Sequence, residues 1–350
     1  LNSYPLTVLL NKLKKKVTYD PQFRAFEDEL KARWDQINHG AGYTAGDTSI
    51  VVDNGDYFAA YDVVLHPSSG EQMLVTAVST NTLTVRRGWG TTSAGALSDD
   101  DYLLIMGNAF QEGDSSPSPN VSNVSYVDNY TQIFRTSFDV TNTLKNTKLY
   151  GEDELARLRR KMLIEHLKGI ELQLWFGEKK EDNTNDNNVR RATAGVRPRI
   201  STNTTDVGGN LTETAFEAFL RTGFRYGNNR KFLFCAPLIT SAISTWAAGK
   251  LQMLPNDKTY GINIIRYQTP HGVIDIVNHV LFENSYNGYA FLVDLDNLWL
   301  RTMNNRDTKL YRNVQSAGVD AEKDEYLTEC GLQCDLEKTH AMLYGVTGIG

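Results

Sequence analysis

The chain has 350 residues, 41% of them hydrophobic and 22% charged, an ordinary globular composition with room for two or three packed units that excludes a disordered chain. Its formal charge of −6, from 36 basic and 42 acidic residues, argues against a protein that coats nucleic acid through its overall charge. No apolar run approaches the ~20 residues of a membrane helix, and the N-terminal lysines follow an apolar stretch, the reverse of a secretory signal, so a soluble protein with no membrane partner is expected.

Residues 5–16, PLTVLLNKLKKK, read as a short helix, with Pro5 at its first position and Lys12, Lys14, Lys15 and Lys16 in its last turns, where cations suit the helix dipole. The chain starts at Leu1 rather than Met, which suggests that an upstream segment is removed. Phe23, Phe26, Leu30, Trp34 and Ile37 then fall at helical spacing, although Pro21 and the aromatics equally permit an extended segment. The local pattern favours helix. From Gly40 to Gly107 short β runs such as TSIVV, YDVVLH and DYLLIMG alternate with turn signals. Residues 41–107 are therefore expected to form a small all-β module inserted into a larger fold, a small barrel or curled sheet rather than an immunoglobulin-type sandwich.

Residues 108–128 contain two prolines and little that could pack, so they predict an arm or long loop. It leads into NYTQIFRTSFDV, residues 129–140, whose alternation puts Phe134, Thr136, Phe138 and Val140 on one face and Ile133, Arg135, Ser137 and Asp139 on the other. Residues 151–177 predict a long helix of roughly 40 Å, with Glu152, Asp153 and Glu154 in its first turn, Gly177 as its stop, and Leu155, Leu158, Met162, Ile170 and Leu174 near one stripe. An Asn-rich loop follows and ends in Arg190, Arg191, Arg197 and Arg199. Beyond it come a helix capped by Thr212, the strand KFLFCA, a helix in PLITSAISTWAAG and a hairpin turning at TPHG. AFLVDLDNLWLRTM reads as one strand with its exit, and YLTECGLQCDLEKTHAMLYGVTG as two closing strands. The class is α+β.

Chemistry-bearing patterns are sparse. Three cysteines, Cys235, Cys330 and Cys334, read as reduced, buried structural thiols, because C-x-x-x-C without paired His or Cys is a poor zinc signature. His271, Asp275 and His279 could begin a metal cluster for a hydrolase, but ordinary surface or hairpin roles for the histidines are the better reading, and no metal or cofactor is assigned. No H-E-x-x-H, G-x-S-x-G or Walker pattern occurs. Tyr57, Phe58, Tyr61 and Trp89 could form a sugar platform, yet filling the core of a small barrel is the simpler role.

Taken in order, EGDSSPSP, NYTQIFRTSFDVTNT, the long helix ending IELQLWFG, RRATAGVRPRI, FLVDLDNLWLRTM and the closing KLYRNVQSAGVDAEKDEYLTECGLQCDLEKTHAMLYGVTG resemble the major capsid proteins of tailed bacteriophages with the HK97 fold, specifically the SU10-like group. The resemblance covers nearly the whole chain and rests on motif order rather than on any one motif. It implies an N-terminal arm at 1–21, an extended loop at 22–40 and 108–140, and a peripheral domain at 141–209 and 311–350 whose spine is the helix at 151–177. It also implies an axial domain at 210–310, with the β module matching an insert found in some members. On this analogy residues 17–34 are extended, against the local helical pattern.

The function so implied is that of a major capsid protein, a non-enzyme that self-assembles into hexamers and pentamers of an icosahedral head enclosing double-stranded DNA. Its implied partners are further copies of itself, a portal, scaffolding and cement proteins and, non-specifically, the packaged DNA. It would assemble in the cytoplasm of a bacterial host and reside in the virion shell. Phe134, Arg135 and Phe138 become candidate intersubunit contacts, and Arg190, Arg191, Arg197 and Arg199 candidate DNA-facing or intersubunit cations. The β module is expected to clamp subunits together rather than bind a host surface, and no covalent cross-link between subunits is expected. A phage tail or baseplate protein is the alternative structural reading.

Overall fold

The computed structural model describes residues 7–122, 124–147, 154–184, 188–247 and 264–350. The chain divides into two compact units, one formed by Leu1–Glu27 with Tyr126–Gly350 and the other by Asp28–Ser125.

Two sheets build the larger unit. In the first, strands run in the order Lys14–Thr18, Leu298–Met303, Ala321–Cys334 and Gln132–Thr141, with Lys309–Tyr311 also paired to Ala321–Cys334. The second has the order Thr204–Leu211, Ala341–Ile349, Ala290–Val293, Arg230–Cys235, Gly272–Asn278 and Ile264–Thr269. Ala321–Cys334 and Ala341–Ile349, the two expected closing strands, therefore lie in different sheets, separated by a tight turn that holds Leu336 at φ +50°. The run AFLVDLDNLWLRTM is likewise two strands rather than one. The Asp294 carboxylate accepts the Asp296 N–H and turns the chain from one sheet into the other.

The long helix spans Glu154–Phe176, about 35 Å at the usual rise, and Gly177 follows it. Its expected first-turn acids Glu152 and Asp153 lie outside the described residues, as do Pro5 and the start of the expected arm helix. Leu155 of the helix packs with Phe138, Val140 and Tyr326 in one cluster, while Ile170, Leu174 and Trp175 enter the main core with Val8, Leu9, Phe234, Phe291 and Leu332. A separate core under the second sheet joins Phe216, Phe219 and Leu220, from the helix Glu213–Gly223 capped by Thr212 as expected, to Leu233, Ile276 and Leu343.

The N-terminal arm corrects the first helix. Among its described residues only Leu9–Lys12 is helical, and Lys14–Thr18 is a strand parallel to Leu298–Met303. The lysines that suited a helix C-terminus instead find tertiary partners: Lys14 pairs with Asp296 at 2.7 Å and Lys15 with Asp307 at 2.6 Å, while Lys14 and Lys16 lie 5.6 and 5.8 Å from the Trp299 ring centre. Local propensity, worth tenths of a kcal/mol per residue, loses to a row of ladder bonds.

Residues 22–36 are extended, with strands Gln22–Glu27 and Trp34–Gln36, so the resemblance and not the local periodicity gave their conformation. Gln22–Glu27 pairs with Ser125–Tyr130 in a two-stranded sheet. Gly331 allows this pair to lie close, since a Cβ there would stand 2.5 Å from the Tyr130 carbonyl oxygen and 2.9 Å from the Phe23 ring.

The smaller unit is a six-stranded sheet in the order Trp34–Gln36, Tyr102–Asn108, Asp62–His66, Glu71–Ser79, Thr82–Arg86 and Ser49–Val51. It curls until Ile37 bridges Val52, joining its two edges around a core of Ile37, Ile50, Val64, Met73, Val75 and Leu103. Glu71, fully buried, holds Arg87 through a bidentate pair at 2.8 and 2.9 Å and also accepts the Gly88 and Gly95 N–H groups. This fixes the loop RRGWG, residues 86–90. Of the four aromatics that could have made a sugar platform, Phe58 and Tyr57 pack into the core. Tyr61 lies against Phe110 at 5.1 Å, and Arg86 lies over Trp89.

Candidate functional site

The strand Gln132–Thr141 keeps the alternation expected of it, but its partners correct the expected contacts. It pairs antiparallel with Ala321–Cys334 over ten residues, from Gln132 opposite Cys330 to Thr141 opposite Ala321. Phe138, expected at a neighbouring subunit, is only 7% exposed and is covered by the long helix of its own subunit, with its ring 6.0 Å from that of Tyr326. Phe134 packs at the edge of the main core. Arg135 projects from the opposite face with 64% of its side chain exposed, and its Nη2 donates to Glu325 Oε2 at 2.8 Å. Ile133 on the same face is 52% exposed, so the side of the strand open to a partner is the one carrying Ile133 and Arg135.

The four arginines are not gathered into one cationic patch. Arg191 pairs with Glu181 at 3.5 Å across the short hairpin of Lys180–Asp182 and Arg190–Ala192, and Arg190 is exposed opposite Asp182. Arg197 and Arg199 lie in a single turn, Val196–Arg199, where Arg199 pairs with Glu27 at 2.5 Å.

A site that the sequence reading missed lies at the end of the long helix. Glu171 is fully buried, and its Oε1 accepts the backbone N–H groups of Val8 at 3.1 Å and Leu9 at 2.7 Å, while Oε2 accepts that of Leu10 at 2.9 Å. The same carboxylate receives Trp175 Nε1–H at 3.2 Å and lies 2.9 Å from His279 Nε2. One acid thus latches the N-terminal arm to the helix through donors 161–163 residues away in sequence. The available signal was a charged residue inside IELQLWF, where its neighbours Ile170, Leu174 and Trp175 are all core.

His271 is exposed in its hairpin turn, in keeping with the surface or hairpin role expected of the histidines, whereas His66, His166, His279 and His340 are buried. His166 spans two strands, with Nδ1 2.9 Å from Thr136 Oγ1 and Nε2 2.8 Å from Thr328 Oγ1, and burial pushes its pKa down. Asp275 is held by Arg230 and Arg266, so it and His279 serve different networks. Among the described residues no group of three or more His, Cys, Asp and Glu could hold a metal ion. Burial raises all three cysteine thiols to about 12, which leaves them inert.

His340 is fully buried, and burial together with the nearby Lys231 ammonium brings its pKa down to about 4. Lys231 itself donates to the carbonyl oxygens of Gly223, Tyr226 and Thr339, and burial lowers it to about 8. An unfolded histidine takes up its proton near pH 6.5, whereas the folded one resists until about 4, so stability falls as pH drops through that window. Urea unfolding at pH 7 and pH 5 is expected to show about 2 kcal/mol of loss attributable to this residue, at about 1.4 kcal/mol per pKa unit. His340→Gln should remove that part of the pH dependence, and an unchanged slope would contradict the assignment.

Large apolar side chains lie open on the paired strands and the turns beside them. Tyr19 is 79% exposed, Phe26 76% and Tyr126 57%. No described helix is long and apolar enough to cross a membrane.

The larger unit thus joins two sheets, a long helix and an extended strand pair that carries open aromatics. The capsid of a native GTA particle superposes with a TM-score of 0.53 at 8% identity, covering 99% of this chain and 91% of that one. The capsid of an empty GTA particle gives 0.50 at 8% identity, covering 97% and 96%. The fold is that of HK97-like capsid proteins. The family model of the SU10 major capsid protein matches residues 2–347, and the chain belongs to that family. A relative, the major capsid protein of Pseudomonas phage PaMx41, is 24% identical over 290 residues, 77% of this chain and 68% of that protein. The family is one of structural capsid proteins, not enzymes.

Proposed function

We propose that copies of this major capsid protein form hexamers and pentamers that close into an icosahedral head around double-stranded DNA. The observation that carries this reading is the family match across residues 2–347, together with the open aromatics of the extended strand pair. In this reading residues 22–40 and 108–140 act as the extended loop, 141–209 and 311–350 as the peripheral domain on its spine helix, and 210–310 as the axial domain around the capsomer centre. Residues 132–141 already belong to the sheet of Ala321–Cys334, so the free part of the returning limb ends near Tyr130.

Ile133 and Arg135 then face a neighbouring copy, and Arg190 and Arg197 are the arginines best placed to meet phosphate or a neighbour's acids, because Arg191 and Arg199 are already paired within the subunit. DNA contact is loose and non-specific, as suits a shell that must release its contents. A portal, scaffolding and cement proteins complete the particle, which assembles in the bacterial cytoplasm.

Negative-stain images of the expressed chain test the assembly. Closed shells or five- and six-membered capsomers are expected, whereas tubes or stacked rings would favour a tail protein.

A further inference from the structure

The turn between strands Asp62–His66 and Glu71–Ser79 brings a serine, a histidine and an aspartate together. His66 and Glu71 form the last pair of that ladder, the Gly70 N–H donates to the His66 carbonyl oxygen at 2.9 Å, and Gly70 takes φ +71°. Ser69 is thereby left exposed, while the His66 ring beneath it is only 2% exposed. Ser69 Oγ lies 2.7 Å from His66 Nδ1, and His66 Nε2 lies 3.1 Å from Asp101 Oδ2. Asp101 comes from the start of Tyr102–Asn108, the strand on the other side of Asp62–His66, and its Oδ2 also accepts the Ser98 N–H at 2.7 Å.

The carboxylate decides where the imidazole proton sits. A bare Nε2 would set its lone pair against Asp101, so the ring is protonated there and Nδ1 is left as a base facing Ser69. Nε2 and Asp101 are close but lack hydrogen-bond geometry, so their attraction is one of charge and grows when the ring becomes cationic. Ser69 Oγ accepts the Glu71 N–H at 3.3 Å, which leaves its own hydrogen for Nδ1. The loop from Gly88 runs alongside: a Cβ on Gly95 would stand 3.9 Å from Ser69 Cβ, and Trp89, 39% exposed, is tied to the same hairpin through its N–H and the Gln72 carbonyl oxygen at 2.8 Å.

We propose that Ser69 is an activated nucleophile and that this turn hydrolyses small acyl esters, a function separate from building the shell and independent of the capsid reading. Oγ attacks the ester carbonyl carbon as its proton passes to His66 Nδ1, and Asp101 balances the imidazolium. The bond to the alcohol oxygen then breaks, and the alcohol leaves with the proton from Nδ1. Water attacks the acyl-serine, its proton going to Nδ1 and on to Ser69 Oγ as the carboxylic acid departs. Ser69 and His66 are the catalytic residues, and Asp101 is a positioning residue. An exposed serine on a turn suits a short acyl group, so acetyl esters are the expected class.

The full chain is treated with a fluorophosphonate, which transfers its phosphorus to an activated serine with loss of fluoride, and separately assayed with p-nitrophenyl acetate. Peptide mass spectrometry should find the phosphonate on Ser69 and not on its exposed neighbour Ser68. Ser69→Ala should abolish the adduct and lower ester hydrolysis by about tenfold or more. Asp101→Asn keeps an oxygen for the Ser98 N–H and should lower kcat about tenfold with KM changed less than about twofold, at an unchanged melting temperature. No adduct on the folded chain, equal labelling of Ser68 and Ser69, undiminished hydrolysis by Ser69→Ala, or an Asp101→Asn loss confined to KM would overturn the inference. None of these outcomes bears on shell formation.

Discussion

Replacing Glu171 with alanine is expected to release the N-terminal arm and to cost the subunit about 3–5 kcal/mol, the usual penalty for removing one partner from a buried charged network. Val8, Leu9 and Leu10 would lose the acceptor of their N–H groups, and Trp175 and His279 would lose theirs, in a region where water is excluded. Glu171→Gln keeps the shape and one acceptor oxygen, so it should cost less and leave the arm partly docked. Limited trypsin digestion reads the arm directly, since Lys12, Lys14, Lys15 and Lys16 follow the latch. The alanine variant should be cut there first while the wild-type arm resists. Equal cutting rates in the two proteins would show that the strand Lys14–Thr18, and not Glu171, holds the arm.

Phe138→Ala is expected to lower subunit stability by about 3–5 kcal/mol, because the ring fills a cluster with Val140, Leu155 and Tyr326 beneath the long helix. The loss should appear in urea unfolding of the unassembled subunit. Ile133→Ala, on the opposite and exposed face of the same strand, should change that unfolding by no more than about 0.5 kcal/mol and lower the yield of shells instead. A Phe138→Ala subunit as stable as wild type, or an unstable Ile133→Ala subunit, would reverse the assignment of the two faces.

The contrast between these residues marks how far the sequence could be read. Alternation in NYTQIFRTSFDV separated its faces correctly, because a strand's period of two is a local property. Which face lies inside was not local. It depends on Leu155 and Tyr326, one in a helix that follows and the other 188 residues beyond Phe138. The Thr212 cap, the Thr269–Gly272 hairpin and the body of the long helix were legible for the same reason, each being written within a few adjacent residues.

What failed was decided at long range. KLKKK prefers a helix end by itself and became a strand because Asp296, Asp307 and Trp299 stand beside an open sheet edge. Residues 22–36 carry both a helical and an extended pattern, and only the order of motifs along the whole chain arbitrated between them. Glu171 looked like one more acid on an amphipathic helix. Its role exists only where the arm and His279 arrive together. AFLVDLDNLWLRTM has strand propensity throughout, so the turn at Asp294, which carries the chain between sheets, left only two aspartates and an asparagine as its trace.

The most direct measurement of the central claim is a cryo-electron microscopy reconstruction of the particles that the chain forms. The account predicts a closed icosahedral shell in which residues 210–310 surround the five-fold and six-fold axes and the helix Glu154–Phe176 lies in the shell wall. Helical tubes, isolated rings, or a shell with that helix at the capsomer axes would contradict it.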